Sequence, residues 1–198
     1  MLSVALLVFA AHRLFSTPSP DIRNSNPVSS VVVCFGDSLT AGYGASRGND
    51  YPSQLSKLLG RPVINAGVSG DTTRDALERL EKDVLSKEPG IVFITLGGND
   101  LKNRSPADEA FGNLSLIIQE IQGVGAMVVL GGIDIPLYGR GFGDRYRELA
   151  SRTGAVLVPN VLHGIIGNRK LMSDPIHPND AGYEIIARMF YDAVKPYL

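Results

Sequence analysis

The chain has 198 residues, 44% of them hydrophobic and 20% charged, with a formal net charge of -1. That length and apolar share suit one globular domain with a sizeable core. The near-neutral charge gives no electrostatic footing for a nucleic-acid partner, and the single cysteine, Cys34, excludes an intrachain disulfide or a thiolate metal cluster.

Residues 1–15 form an apolar signal or anchor segment. Leu2–Ala11 is almost purely apolar and is followed by His12-Arg13. The run is too short to span a bilayer but has the length of a signal-peptide apolar region, with Val8-Phe9-Ala10 as a tolerable cleavage context. No Lys or Arg precedes it and Arg13 follows it, which keeps a membrane anchor open beside a cleaved signal. A periplasmic or secreted location is expected, with membrane proximity through this segment. Residues 16–30 are rich in Ser, Pro and Asn and read as a flexible linker, so the folded domain is expected over 31–198.

Val31–Phe35 is a short, wholly apolar run that meets Gly36-Asp37-Ser38. Such a run reads as a strand buried on both faces. Ser38 then lies just past the carboxyl end of a parallel strand, where open α/β sheets bind ligands. Two readings of Ser38 stand at this point: a nucleophile, or with Asp37 a cap on the next turn. Cys34, inside the strand, reads as an inert buried thiol.

Gly42, Gly44 and Gly48 mark a loop, and Tyr51-Pro52 opens a short helix with Leu55, Leu58 and Leu59 on one face. Pro62–Asn65 is a second strand that runs into Ser69-Gly70-Asp71. Thr72 with Asp75 makes a capping box, and the helix it starts carries Ala76, Leu77, Leu80, Val84 and Leu85 at helical spacing. A third strand, Ile91–Leu96, stops at the turn Gly97-Gly98-Asn99-Asp100. Ser105-Pro106 caps a helix whose inner face is Ala110, Phe111, Leu114, Ile117, Ile118 and Ile121. Ala126–Leu130 is the fourth strand and Gly131–Gly143 a long glycine-rich loop. A helix near Asp144–Ser151 leads to a fifth strand, Ala155–Val158. Asp174-Pro175-Ile176-His177-Pro178 precedes a last helix that buries Ile185, Ile186, Met189 and Phe190. Strands alternating with helices predict an α/β fold, a parallel sheet covered on both faces.

Three of these strands end in polar, glycine-rich turns, and in a parallel sheet those ends share one edge. Acyl transfer needs a nucleophile, a base, an orienter for the base and donors for an oxyanion. Ser38 is the candidate nucleophile and His177 the base. Asp174, three residues before His177, can take the Nδ1 proton and leave Nε2 to accept the serine proton. The amides of Ser38 and Gly70 and the side-chain amide of Asn99 are the candidate oxyanion donors. Asp37 and Asp100 read as acceptors that brace their loops. His163 has no carboxylate beside it and is a poor candidate. Asp174 and His177 lack further clustered ligands, so no metal and no cofactor is expected.

Gly36-Asp37-Ser38-Leu39, then Gly70, then Gly97-Gly98-Asn99-Asp100, then Asp174-x-x-His177 resemble the four sequence blocks of the GDSL or SGNH hydrolases. The resemblance runs from about Val31 to the C-terminus. Within the family, Asn65–Thr73 and the overall size look most like the bacterial multifunctional thioesterase, lysophospholipase and arylesterase enzymes. The resemblance implies a triad of Ser38, Asp174 and His177, an oxyanion hole of Ser38, Gly70 and Asn99, and a three-layer α/β/α, flavodoxin-like, doubly wound sheet of five parallel strands. The group is commonly periplasmic. Gly131–Arg147 corresponds to its substrate-side loop but looks shorter and richer in glycine here, which leaves acyl-chain preference open.

The expected substrate is a small-molecule acyl ester, thioester or lysophospholipid, acted on by a monomer. Ile133, Ile135, Pro136, Leu137 and Tyr138 could line an apolar trough for its chain. A carbohydrate O-acetylesterase would use the same triad, but the chain has no Trp for stacking on sugar. A non-catalytic flavodoxin-like binding module would want a phosphate-cradling glycine loop, and neither G-x-G-x-x-G after a strand nor a P-loop is present.

Overall fold

The computed structural model describes residues 21–135 and 141–198. The apolar runs form five strands: β1 (Val32–Gly36), β2 (Val63–Gly67), β3 (Ile91–Thr95), β4 (Met127–Gly131) and β5 (Val156–Val158). All pairings are parallel, in the order β2-β1-β3-β4-β5. Every residue of β1, β3 and β4 is buried, as expected of strands covered on both faces. β2 is an edge strand and is half open to solvent.

Seven α-helices are found among the described residues: α1 (Ser38–Ala41), α2 (Tyr51–Leu59), α3 (Thr73–Asp83), α4 (Gly98–Asn103), α5 (Ala107–Gly123), α6 (Phe142–Thr153) and α7 (Asp180–Val194). α2 packs on α7 to cover one face of the sheet, while α5 packs between α3 and α6 on the other. The result is the three-layer, doubly wound architecture that the alternation of elements predicts. Leu114, Ile117, Ile118 and Ile121 of α5 are fully buried. Each such side chain contributes about 1.5–3 kcal/mol relative to exposure.

Local chemistry sets most helix starts. Asp50 accepts from the Ser53 amide ahead of α2, with Pro52 in the first turn. Thr72 and Asp75 form both bonds of the capping box on α3. Asn179 accepts from the Ala181 and Gly182 amides at the start of α7. The expected cap at Ser105 is not made: α5 begins after Pro106 with no side-chain cap, and the Ser105 amide donates to the Asp100 carbonyl instead. The turns expected at Ser38 and after Gly97 are short helices, α1 and α4.

The expected linker covers residues 16–30, of which 21–30 are described. Residues 21–30 dock on the fold. Ile22 packs on the core, and the Arg23 amide donates to the Gly154 carbonyl at 2.9 Å. The Asn24 side chain donates to the carbonyls of Gln122 and Ala126 at 2.9 and 3.0 Å. These partners lie at the ends of α5 and α6, on the sheet edge away from Ser38.

The strand order reverses between β1 and β3, and the carboxyl ends of those two strands leave the crevice where such sheets bind ligands. Gly36 closes β1 there. A Cβ on Gly36 would stand 2.3 Å from the Thr95 carbonyl oxygen of β3 and 2.2 Å from Thr40 Oγ1. Gly36→Ala is therefore expected to destabilise the fold by about 3 kcal/mol or more, because the obstruction is backbone and cannot turn aside. A urea titration measures this; a variant as stable as the native chain would contradict the close approach.

Candidate active site

Ser38 is the first residue of α1, directly after β1. Asp37 caps that helix: its Oδ1 accepts the Leu39 amide at 3.0 Å. The two readings of the Gly36-Asp37-Ser38 turn are thus compatible, since Asp37 supplies the cap and the Ser38 hydroxyl is left for other work. Ser38 Oγ lies 3.0 Å from His177 Nε2. His177 Nδ1 lies 2.7 Å from Asp174 Oδ2. The structure thus joins Ser38, His177 and Asp174 in one hydrogen-bonded chain from residues 139 positions apart.

The loop that carries His177 is folded by Asp174 itself. Asp174 Oδ1 accepts the amides of Ile176 and His177 at 2.9 and 2.8 Å, while Oδ2 holds the imidazole. A bridge between Met172 and Pro178 closes the loop, and the His177 carbonyl accepts from the Ser173 amide and hydroxyl. Partial burial raises the Asp174 carboxyl, but the hydrogen bonds from His177 and Ile176 outweigh it and hold the group below the usual carboxylate range. A carboxylate that stays ionised fixes the imidazole orientation and stabilises its protonated form.

Asn99 stands in the first turn of α4, and its Nδ2 donates to the Asp71 carbonyl at 2.9 Å. It lines the same cleft as Ser38 and His177. Gly70 lies in the turn after β2, closed by the Asp71 amide on the Val68 carbonyl. Its φ of +95° is the left-handed region, and a Cβ there would meet nothing within 4 Å. Backbone conformation, and not crowding, is what requires glycine at this position. Among the described residues, no acceptor takes the Ser38 or Gly70 amide.

The cleft has a volume of about 370 Å³. Leu39, Leu101, Ile133, Ile135, Leu162, Ile166 and Ile176 line it, together with Lys102. Ile135 is therefore at the cleft as expected; Pro136, Leu137 and Tyr138 lie outside the described residues. Asp100 braces as expected, accepting the amide and hydroxyl of Thr73 at 2.9 and 2.7 Å. Cys34 is fully buried, and burial pushes its thiol up, so it is inert. His163 is exposed and borders a separate groove with Met189 and Asp192.

Three residues matter at the site without having been singled out from sequence. Arg79 of α3 donates to Asp71 at 2.6 Å and to the carbonyls of Ala66 and Gly36, both at 2.9 Å. It ties the ends of β1 and β2 to the turn carrying Gly70. Its only sequence signal is an arginine four residues before Asp83 and eight after Asp71. Tyr43 sets its ring 4.5 Å from that of His177, and its carbonyl is held by the Tyr183 hydroxyl at 2.7 Å. Tyr146 donates to the Leu96 carbonyl at 2.6 Å beneath the Asn99 turn.

Residues 34–185 match the model of the GDSL-like Lipase/Acylhydrolase family. The chain is 35% identical to the esterase TesA of Pseudomonas aeruginosa over 182 residues, covering 84% of this chain and 89% of that protein. It is 30% identical to thioesterase 1/protease 1/lysophospholipase L1 of Escherichia coli K12, covering 83% of each. A crystal structure of TesA superposes with a TM-score of 0.80 at 31% identity, covering 85% of this chain and 99% of that one.

Proposed function

We propose that this chain, which belongs to the GDSL-like lipase/acylhydrolase family and is a carboxylic ester hydrolase, cleaves acyl esters and thioesters through a covalent intermediate on Ser38. The hydrogen-bonded chain from Ser38 Oγ through His177 to Asp174 carries the reading. Ser38 Oγ attacks the substrate carbonyl while His177 Nε2 takes its proton. The tetrahedral oxyanion sits on the amides of Ser38 and Gly70 and the side-chain amide of Asn99. Collapse expels the alcohol or thiol, which leaves with the proton from His177. Water, deprotonated by His177, then releases the acid from the acyl-enzyme. Asp174 keeps the imidazole in the tautomer that both half-reactions need.

The aliphatic lining of the cleft favours an acyl chain over a sugar, which would want aromatic stacking surfaces. Relatives named as esterase, thioesterase and lysophospholipase fit an acyl substrate whose leaving group varies. The apolar segment over 1–15 supports export or anchoring. Among the described residues, no helix is long and apolar enough to cross a membrane.

A fluorophosphonate probe, followed by peptide mapping, is expected to label Ser38. A p-nitrophenyl ester series from acetyl to palmitoyl should then show kcat/KM rising from acetyl to a medium chain. Labelling at another residue would sink the nucleophile. A maximum at acetyl would instead favour a carbohydrate O-acetylesterase.

A further inference from the structure

We propose that Asp37 is a positioning residue for the reaction: its carboxylate holds the side-chain amide of Asn99 in the orientation that serves the oxyanion. The proposal rests on the reading of Asn99 as an oxyanion donor. Asp37 is 2% exposed and lies between the strand that delivers Ser38 and the turn that delivers Asn99. Its Oδ1 is taken by the Leu39 amide, and its Oδ2 faces Asn99 Nδ2 at 3.5 Å. The Asn99 amide has two hydrogens, and the Asp71 carbonyl takes one at 2.9 Å. The other faces Asp37 Oδ2, and Asp37 itself lines the cleft. At 3.5 Å the contact is too long to saturate that hydrogen, so an oxygen arriving in the cleft can share it. The carboxylate charge, on the N–H side of the amide, keeps that edge, and not the Asn99 carbonyl, turned to the part of the cleft that Asp37 and Ser38 line.

Both groups facing the Asp37 oxygens are N–H donors, so the hydrogen bonds suit the ionised form. Burial works against it, as do the charges of Asp71 and Asp100, and the carboxyl is pushed up to about 7. Lys102 lines the same cleft, but the hydrogen-bond partners of the Asp37 oxygens are neutral amides. Asp71 is itself paired with Arg79, and Asp100 is held by Thr73. The phenols of Tyr146 and Tyr183 approach from α6 and α7, and both feel the Asp37 charge. His177 faces it across the cleft.

Asp37 must therefore be ionised to hold Asn99. The kcat ratio of wild type to Asn99→Ala should therefore fall as pH drops through about 7. Asp37→Asn keeps an acceptor for the Leu39 amide but turns a donor on Asn99. It should lower kcat by about ten- to a hundredfold with KM nearly unchanged, and make the effect of Asn99→Ala independent of pH over that range. Stability should move the other way. A carboxyl raised in the folded state stabilises below its unfolded pKa, and that contribution is lost as pH rises through the folded value. The Tm difference between variant and wild type should therefore shift in the variant's favour from about pH 4 to about pH 8. In an Asn99→Ala background, Asp37→Asn should change kcat less than about twofold. A kcat ratio of wild type to Asn99→Ala that stays flat across that range overturns the proposal even if Asp37→Asn does not fold. A full additional loss in the Asn99→Ala background overturns it too. An Asn99→Ala variant with native kcat would instead remove the oxyanion reading on which it stands.

Discussion

Ser38→Ala is expected to lower kcat/KM for a medium-chain p-nitrophenyl ester on the order of 10⁴- to 10⁶-fold, with Tm within a degree or two of the native value. The size follows from the role. Without the hydroxyl no acyl-enzyme forms, and only the oxyanion donors and the binding cleft remain to assist a direct attack by water. The small change in Tm follows from the structure, since the α1 cap is supplied by Asp37 and not by the serine hydroxyl. Cys34→Ala is the matched control. That thiol is fully buried inside β1, four residues from Ser38, and its loss should leave kcat within about twofold. Burst-phase and steady-state kinetics on both variants, with melting curves on the same samples, check the pair. A Ser38→Ala variant that keeps a tenth of native activity would end the covalent mechanism.

The features legible in the sequence are those whose physics is local or periodic. β1, β3 and β4 are buried on both faces, so they are apolar throughout and stand out as runs. The Thr72–Asp75 cap and the Asp174–His177 pair each span three residues, and their geometry is written in that spacing. Convergence of the strand ends follows from a parallel sheet. What stayed hidden depends on partners far away in the chain. Gly97 is one such position, a turn glycine by its sequence alone. Its room is taken by Tyr146: at φ +107°, a Cβ would stand 2.3 Å from the Tyr146 hydroxyl. Gly98 faces Ile133 and Asp37, so that glycine opens the floor of the cleft to them. Residues 21–30 have the composition of a linker, yet Asn24 reaches carbonyls about a hundred positions away. Arg79 shows the same limit, because two of its acceptors are backbone carbonyls that no side-chain pattern announces.

Asn99→Ala is expected to lower kcat about a hundred- to a thousandfold, equivalent to about 3 to 4 kcal/mol of transition-state stabilisation. The rival view makes Asn99 a brace, and the structure gives that view real substance, since its amide does donate to the Asp71 carbonyl. The two views differ in magnitude. A single partly exposed hydrogen bond contributes about 0.5–1.5 kcal/mol to stability, against about 5–15 kcal/mol for a domain. Removing it leaves nearly every molecule folded, so unfolding cannot account for a hundredfold loss. A displaced Asp71 turn could, by moving Gly70. Asp71 is separately fixed by Arg79 and by its own amide on Val68, so the turn keeps two of its three anchors in the variant. The remaining route to a large effect is the charge that develops on the carbonyl oxygen. That interaction strengthens from ground state to transition state, so it acts on kcat and leaves KM nearly unchanged. Tm and kcat measured on one preparation separate the views. A variant with Tm lowered by a few degrees and native kcat per folded molecule would leave Asn99 as a brace alone.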